Sequence, residues 1–452
     1  MGALKDDLEG IDFGSKKLEK RFLNTVEIMA DNPGKSILQA MGNRNQAKAV
    51  YRMLSNENYS TEKVKKEYAE ATARRMEKGS IVLAVQDTTE LDYGTHTKTK
   101  GLGYCNQTDL GLQIHSCTAL TPEGIMLGLL DQKSYSRAEK KNTSMTEYEK
   151  RNRPIEEKET YRWIETYDES MKYIPEGVKA ITVCDRGADF YELYEHIIKT
   201  GGTVIIRLEQ DRLIQEDQKA LEYLRSRDSS GTIVVDIPRD TRKGKKARQA
   251  TLEIRYGEMR IKKPARRKEK HLEEEVTVNG VYAKEIGTPE GIEGVEWFLI
   301  TTEGVKSFEE AVKIIEYYVQ RWKIERFHYV LKEGCKAEDI QERTRERIES
   351  LVYLYSIISI FIMTLTYLAR INPEIGCDVL FEEEEWKILY CAANKTTEAP
   401  ERPYKIKEAV KYLGKLGGFA GAPSDGNPGV KVLWRGMEKL YTLVEYKELL
   451  RI

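Results

Sequence analysis

Apolar positions change their period several times along the chain. Residues 15–52 carry them at helical spacing: SKKLEKRFLNTVEIMADNP reads as a helix halted at Pro33, and NQAKAVYRMLSN as a second one. Ser60 or Thr61 then caps a charged helix running to Glu77. Beyond it the texture turns to strands. Residues 81–85 form a continuous apolar run with Asp87 just past its end, and residues 112–120 and 125–130 are β-rich and separated by the turn TPEG. After a polar stretch with helical segments, residues 181–184 form a short strand ending at Asp185, a helix follows, and residues 203–206 make a strand that finishes at Arg207.

Three strands, helix, strand, helix, strand is the order an RNase H-like core requires, so the expected fold is α/β, a mixed five-stranded sheet with helices. Residues 211–296 break into short strands and turns and read as a β-rich insertion. The most sharply specified helix is a single one from Ser307 to Lys332, with Ser307 and Glu310 as a capping box and Phe308, Val312, Ile315, Val319 and Trp322 as the apolar stripe. The pattern divides into a helical domain over 1–70, a catalytic domain over 71–375 carrying the insertion, and a helical domain over 376–452.

Composition narrows the class. Of 452 residues, 40% are hydrophobic and 33% charged, which describes a folded chain with a dense ionic surface and excludes a disordered or fibrous one. Lys and Arg total 73 against 74 Asp and Glu, so a polyanionic partner would have to be met by local patches. One lies in the N-terminal helices: Lys16, Lys17, Arg21, Lys35, Arg44, Lys48 and Arg52 serve either as solvated faces or as grips on DNA. A second lies in the insertion, with Arg239, Arg242, Lys243, Lys245, Lys246 and Arg248, then Arg266, Arg267, Lys268 and Lys270. The six cysteines have neither CxxC pairs nor metal-ligand rhythm, which argues against zinc or disulfides. The start MGALKDDLEG has no apolar signal segment, so the expected location is the cytoplasm. Residues 351–369 approach the length of a membrane span, yet Ser356, Ser359, Thr364 and Thr366 and the charged flanks favour a buried helix and no membrane partner.

Tyr318, Arg321, Glu325 and Lys332 stand at offsets of three, seven and fourteen residues. On one continuous helix they would share an arc of about 60 degrees, at the border of the apolar stripe. Two-metal phosphoryl transfer needs hard oxygen donors, and Asp87 and Asp185 from strand ends with Glu325 from a helix would supply three. Spacing alone also fits an ordinary solvated Arg-Glu-Lys face.

VQDTTELDY, VCDRGADFYELY and YYVQRWKIERFHYVLKEG together resemble the three catalytic segments of the insertion-sequence-four transposases. That family spaces Tyr, Arg, Glu and Lys as Tyr318, Arg321, Glu325 and Lys332 are spaced here, and its acidic triad falls on Asp87, Asp185 and Glu325. GKSILQA and AVYRMLSN resemble its N-terminal DNA-binding domain, and LGGF with DGNPGVKVLWRG its C-terminal domain. Trp297 matches a position whose indole stacks on a flipped base; a core Trp on a strand is the competing reading.

The resemblance implies cut-and-paste transposition by strand nicking, hairpin formation and resolution, and strand transfer, with two Mg2+ ions per site (Mn2+ as substitute). It also implies double-stranded DNA partners, namely transposon ends and target, and a homodimer in the synaptic complex. Arg186 and Arg207 are candidate phosphate ligands, with structural salt bridges as the alternative. Three rival readings remain: a metal-dependent nuclease without strand transfer, which shares every carboxylate; a non-catalytic DNA-binding inhibitor, which would need neither the triad nor its basic neighbours; and, more distantly, a membrane-bound enzyme, which simple fractionation would reveal.

Overall fold

A computed structural model describes residues 2–96, 98–137, 146, 149, 153–237, 247–265, 267, 269, 271–422 and 426–450. Of the basic residues noted in the insertion, only Arg248 and Arg267 fall among them; Arg239, Arg242, Lys243, Lys245, Lys246, Arg266, Lys268 and Lys270 lie outside the described residues.

The chain opens with α1 (Gly2–Asp6), α2 (Lys16–Asp31), α3 (Ile37–Ala40), α4 (Arg44–Leu54) and α5 (Thr61–Arg74). Strands β1 (Ile81–Asp92), β2 (Gly103–Tyr104), β3 (Leu110–Leu120) and β4 (Met126–Tyr135) follow, then α6 (Tyr161–Met171), β5 (Lys179–Cys184), α7 (Tyr191–Lys199) and β6 (Thr203–Arg207). Next come α8 (Ala220–Ser226), β7 (Gly231–Ile237), β8 (Arg248–Lys262), β9 (Glu275–Ile286) and β10 (Glu296–Thr301). The last helices are α9 (Phe308–Val319), α10 (Trp322–Tyr329), α11 (Arg345–Ile371), α12 (Glu383–Asn394), α13 (Ile406–Leu416) and α14 (Val430–Leu450). The five strands expected of an RNase H-like core are therefore present in the expected order as β1, β3, β4, β5 and β6.

By contacts the chain forms two compact units. One comprises Met1–Lys78, Thr88–Asn142 and Lys323–Ile452, the other Gly79–Asp87 and Thr143–Trp322. In the first, β2 and β4 pair antiparallel with consecutive stretches of β3, from Gly103↔Gly111 to Leu120↔Met126. Helices α5 and α11 pack on β4. Helix α2 buries Leu18, Phe22, Val26 and Met29, a stripe at helical spacing, and Phe22 meets Phe13 edge-on with centroids 5.4 Å apart. Full burial of each such side chain stabilises the fold by about 1.5–3 kcal/mol. Helix α11 has a mean hydropathy of 2.0 over its most apolar window, and 89% of that window is buried inside the protein. Its buried hydroxyls are satisfied one turn back: Ser356 donates to the Val352 carbonyl at 2.9 Å, Ser359 to Tyr355 at 2.7 Å and Thr366 to Ile362 at 2.7 Å.

In the second unit the sheet order is β1-β5-β6-β10-β9-β8-β7. The three strands β1, β5 and β6 run parallel, as the helical crossover through α7 demands, and residues 82–85, 181–184 and 204–206 are buried without interruption. The insertion does not stand apart as its own layer. Strand β10 returns antiparallel to β6, with Leu299 opposite Arg207, and β9, β8 and β7 extend the same sheet by antiparallel pairing. A core of Trp163, Ile164, Tyr167, Leu193, Tyr194 and Ile197 from α6 and α7 covers it together with side chains of β5, β6 and β8.

Candidate active site

Strand β1 pairs with β5 from Ile81↔Lys179 to Val85↔Val183. Asp87 and Asp185 each stand two residues beyond that last pair, so adjacent parallel strands carry a carboxylate at matching positions, just past the end of their pairing. The expected strand end at Asp87 is corrected in one respect: β1 continues to Asp92, because the β-branched pair Thr88 and Thr89 and the apolar Leu91 sustain it. It is the pairing with β5, not the strand, that stops before Asp87.

The Arg321 guanidinium lies 3.5 Å from the Asp87 carboxylate, with both side chains only about one-sixth exposed. A hydrogen bond to the backbone holds Asp185 instead. As N-cap of the short turn at Arg186–Ala188 it accepts the Gly187 N–H at 2.7 Å. Gly187 suits that place, since a Cβ there would come within 3.0 Å of the Asp185 carboxylate and 3.2 Å of the Trp163 ring.

The single helix expected from Ser307 to Lys332 is not observed. The capping box forms as expected, with the Ser307 side chain accepting from the Glu310 N–H, but α9 ends at Val319. Helix α10 then starts at Trp322, and Val330–Gly334 is a π-helical turn. The buried stripe explains the break. It runs Ala311, Ile314, Ile315, Tyr318 on α9 and resumes at Ile324, Phe327 and Leu331, about two positions out of phase. The division between the two units falls here, after Trp322, so the two halves serve two different cores and need two registers. Tyr318 is buried on α9, Glu325 is exposed on α10, and Lys332 sits in the π turn 3.3 Å from Glu338.

What the second unit does assemble is a line of contacts. Trp297, half-buried on β10, meets Tyr318 at 5.8 Å; Arg321 lies over the Tyr318 ring at 5.9 Å; and Arg321 pairs with Asp87. Arg207 donates to the Glu296 carbonyl at 3.1 Å, and Arg186 pairs with Glu209 at 3.4 Å on the surface. His328 is buried with its ring 5.2 Å from Phe327, as a packed histidine. In the other unit Arg21, Arg44, Lys48 and Arg52 are all exposed on α2 and α4, and Arg21 lines a groove of about 380 Å3 between those helices with Lys17 and Lys20.

Among the described residues no group of three or more His, Cys, Asp or Glu side chains is gathered closely enough to hold a metal ion. Asp87 and Asp185 still fit a divalent cation by donor chemistry, being hard carboxylates at matching positions on neighbouring strands. Sequence reasoning missed Asp189. Its buried carboxylate accepts from the N–H groups of Glu209 and Gln210 at 2.8 and 2.9 Å and from the Tyr194 hydroxyl at 2.7 Å, and it pairs with Arg212. Burial, with the Asp189 charge beside it, holds the Tyr194 phenol well above its ordinary range. The DRGAD run was the only available signal.

Three family models match the chain. Residues 1–59 match a transposase DNA-binding domain, residues 133–361 a transposase DDE domain, and residues 357–451 a Tn5 transposase dimerisation domain. The DDE match contains Asp185 and Glu325 and begins after Asp87, whose place rests on the strand register. Among solved structures the chain is similar to the piggyBac transposase in a synaptic complex with hairpin DNA, at 11% identity and a TM-score of 0.35 over 86% of this chain, a likeness too distant to carry an argument. The chain spans 57% of the length of that protein's chain. With the DDE domain spanning half of it, the chain belongs to the DDE transposases, whose shared chemistry is phosphoryl transfer with divalent metal. The order of its three domains is that of the Tn5-like transposases of the insertion-sequence-four family.

Proposed function

We propose that the protein catalyses cut-and-paste transposition in the cytoplasm of its host, acting on the inverted-repeat ends of an insertion sequence as a synaptic homodimer. The observation that carries this reading is the pair Asp87 and Asp185, each two residues past the last pair of the parallel strands β1 and β5, with Arg321 on Asp87 and Glu325 four residues further along the chain. Asp87, Asp185 and Glu325 would hold two Mg2+ or Mn2+ ions. The chemistry those ions supply when bound is activation of the attacking oxygen and stabilisation of the leaving one.

The chain's own residues do the rest. Arg321 and Lys332 bind the phosphates flanking the scissile bond and offset the charge that builds on the phosphoryl oxygens. Arg186 and Arg207 add further phosphate contacts, and Trp297 with Tyr318 behind it offers a stacking face for a base displaced from the duplex. Exposed Arg21, Arg44, Lys48 and Arg52 hold the end DNA through α2 and α4. In the first step water attacks phosphorus and the bond to the 3′ oxygen breaks, releasing a 3′ hydroxyl. That hydroxyl attacks the opposite strand to close a hairpin, water reopens it, and the freed 3′ end attacks target DNA. Each step exchanges one P–O bond for another in line, so one arrangement of groups serves all four.

The test uses DNA carrying the inverted repeats that flank the gene, with Mg2+ or Mn2+. Wild-type protein is expected to yield nicked, hairpin and joined products, and Glu325→Gln none. Joined products from Glu325→Gln would overturn the triad; nicked DNA without hairpins or joining from the wild type would reduce the protein to a nuclease.

A further inference from the structure

The short turn that follows β5 is held at both of its ends. At the first, Asp185 caps it by accepting the Gly187 N–H; at the second, the Asp189 N–H donates to the Arg186 carbonyl at 3.1 Å. We infer that Asp189 is a positioning residue for Asp185: its buried carboxylate fastens the far end of the turn to the loop after β6, and the fastened turn keeps the Gly187 N–H where it aims the Asp185 carboxylate. This inference rests on the reading of Asp185 as a metal ligand given above.

Asp189 gathers donors from two directions, and its side chain is fully buried. Its Oδ2 accepts the N–H groups of Glu209 at 2.8 Å and Gln210 at 2.9 Å, in the loop just beyond β6. Its Oδ1 accepts the Tyr194 hydroxyl, from α7, at 2.7 Å and the Arg212 Nε–H at 2.6 Å. Arg212 also donates to the Asp189 carbonyl oxygen, so one guanidinium clamps the side chain and the backbone of the same residue. The anchors are themselves fixed: Tyr194 is fully buried in the core of this unit, and Arg212 lies over its ring, 5.5 Å from the centroid.

Stability alone does not call for such an arrangement. A buried ion pair adds little over apolar side chains of the same shape, whereas donors converging on both oxygens of one carboxylate fix a direction. The turn needs that direction from outside. Its own backbone bonds, Ala188 N–H to the Asp185 carbonyl at 3.3 Å and Asp189 N–H to Arg186, lie at the long end of the usual range, and three residues of this helix type hold themselves weakly. A carboxylate that ligates a metal is oriented by the groups around it, and losing such an outer partner typically costs about 10–100-fold in metal affinity.

The test is calorimetric titration of the full chain with Mn2+ in the absence of DNA, beside melting temperatures. Asp189→Asn is expected to weaken Mn2+ binding about tenfold. Because that change leaves Arg212 buried without its counter-charge, Tyr194→Phe serves as a second variant: it removes one donor to Oδ1, keeps the ion pair, and is expected to weaken binding about threefold. Tyr167→Phe is the control. Its hydroxyl meets Thr200 at 3.0 Å in the same core, and its loss is expected to lower the melting temperature as Tyr194→Phe does while leaving Mn2+ affinity unchanged. Wild-type affinity in both Asp189→Asn and Tyr194→Phe, or an equal loss in Tyr167→Phe, overturns the positioning role; if Asp189→Asn does not fold, the two tyrosine variants decide. Asp185→Asn separates the two readings. It is expected to lose at least about tenfold in Mn2+ affinity. No loss there would sink the metal reading and the positioning with it, whereas a loss confined to Asp185→Asn would sink the positioning alone.

Discussion

Asp87 and Asp185, just past the paired stretch of β1 and β5 in one unit, and Asp31 at the end of α2 in the other are carboxylates at least partly withdrawn from water, and the two regions deal with them differently. Asp87 faces the Arg321 guanidinium and Asp185 a backbone N–H, both partners that a cation can replace without leaving a bare charge on the carboxylate. Asp31, the last residue of α2, has a buried oxygen with no hydrogen-bond partner. Burial, reinforced by the negative charges of Glu385, Glu27 and Glu382, pushes its carboxyl up to about 7. One region keeps acids ready for exchange of partners, whereas the other quietens its acid with a proton.

If that distinction is functional, removing charge at the strand ends is catastrophic for chemistry and harmless to the fold. Asp87→Asn and Asp185→Asn are each expected to lower the rate of end nicking by at least about a thousandfold, with melting temperature little changed. Asp31→Asn serves as the matched control and is expected to nick at the wild-type rate. Equal losses in all three would erase the comparison.

Arg321 sharpens it. Arg321→Gln removes both the partner of Asp87 and a phosphate ligand, so nicking is expected to fall about a hundredfold. Without DNA the same variant is expected to bind Mn2+ several-fold more tightly by titration calorimetry, because a competing positive charge has left the carboxylate. Unchanged Mn2+ affinity would mean that the ion pair does not guard Asp87. A smaller effect, about tenfold on nicking, is expected from Gly187→Ala, whose added methyl would push on the Asp185 carboxylate and the Trp163 ring.

Elements that depend on local pattern were readable in the sequence. The apolar runs of β1 and β5 made both strands visible with an Asp at or near the end of each, and Ser60 and Ser307 start α5 and α9 as their side chains dictate. What failed was whatever depended on the other unit's core. No Gly or Pro lies between Ser307 and Lys332, so nothing local marks the break at Gln320 and Arg321; two cores impose it by asking for two phases of the same stripe. Likewise the Asp87–Arg321 pair joins residues remote in sequence, and the tie from Asp189 to the loop after β6 is made through backbone N–H groups, which a side-chain pattern does not report.

The smallest expected effect is the one that defines the second region. A carboxyl whose folded value is raised toward 7 binds a proton in the native state between about pH 4 and pH 7, where the unfolded chain has already lost it. Stability therefore falls as pH rises through that window, and above it the folded protein carries Asp31 as an uncompensated charge near Glu27, Glu382 and Glu385. Tyr441 lies in the same acidic surroundings, with its phenol held well above the ordinary range chiefly by burial, so it stays neutral throughout. Asn keeps the shape and removes the charge. Asp31→Asn is thus expected to gain about 1 kcal/mol at pH 8 and nothing at pH 4 in urea unfolding, flattening the dependence on pH between those limits. A destabilised variant at pH 8 would show that the Asp31 carboxylate is held by a favourable contact after all, and that the two regions treat their acids alike.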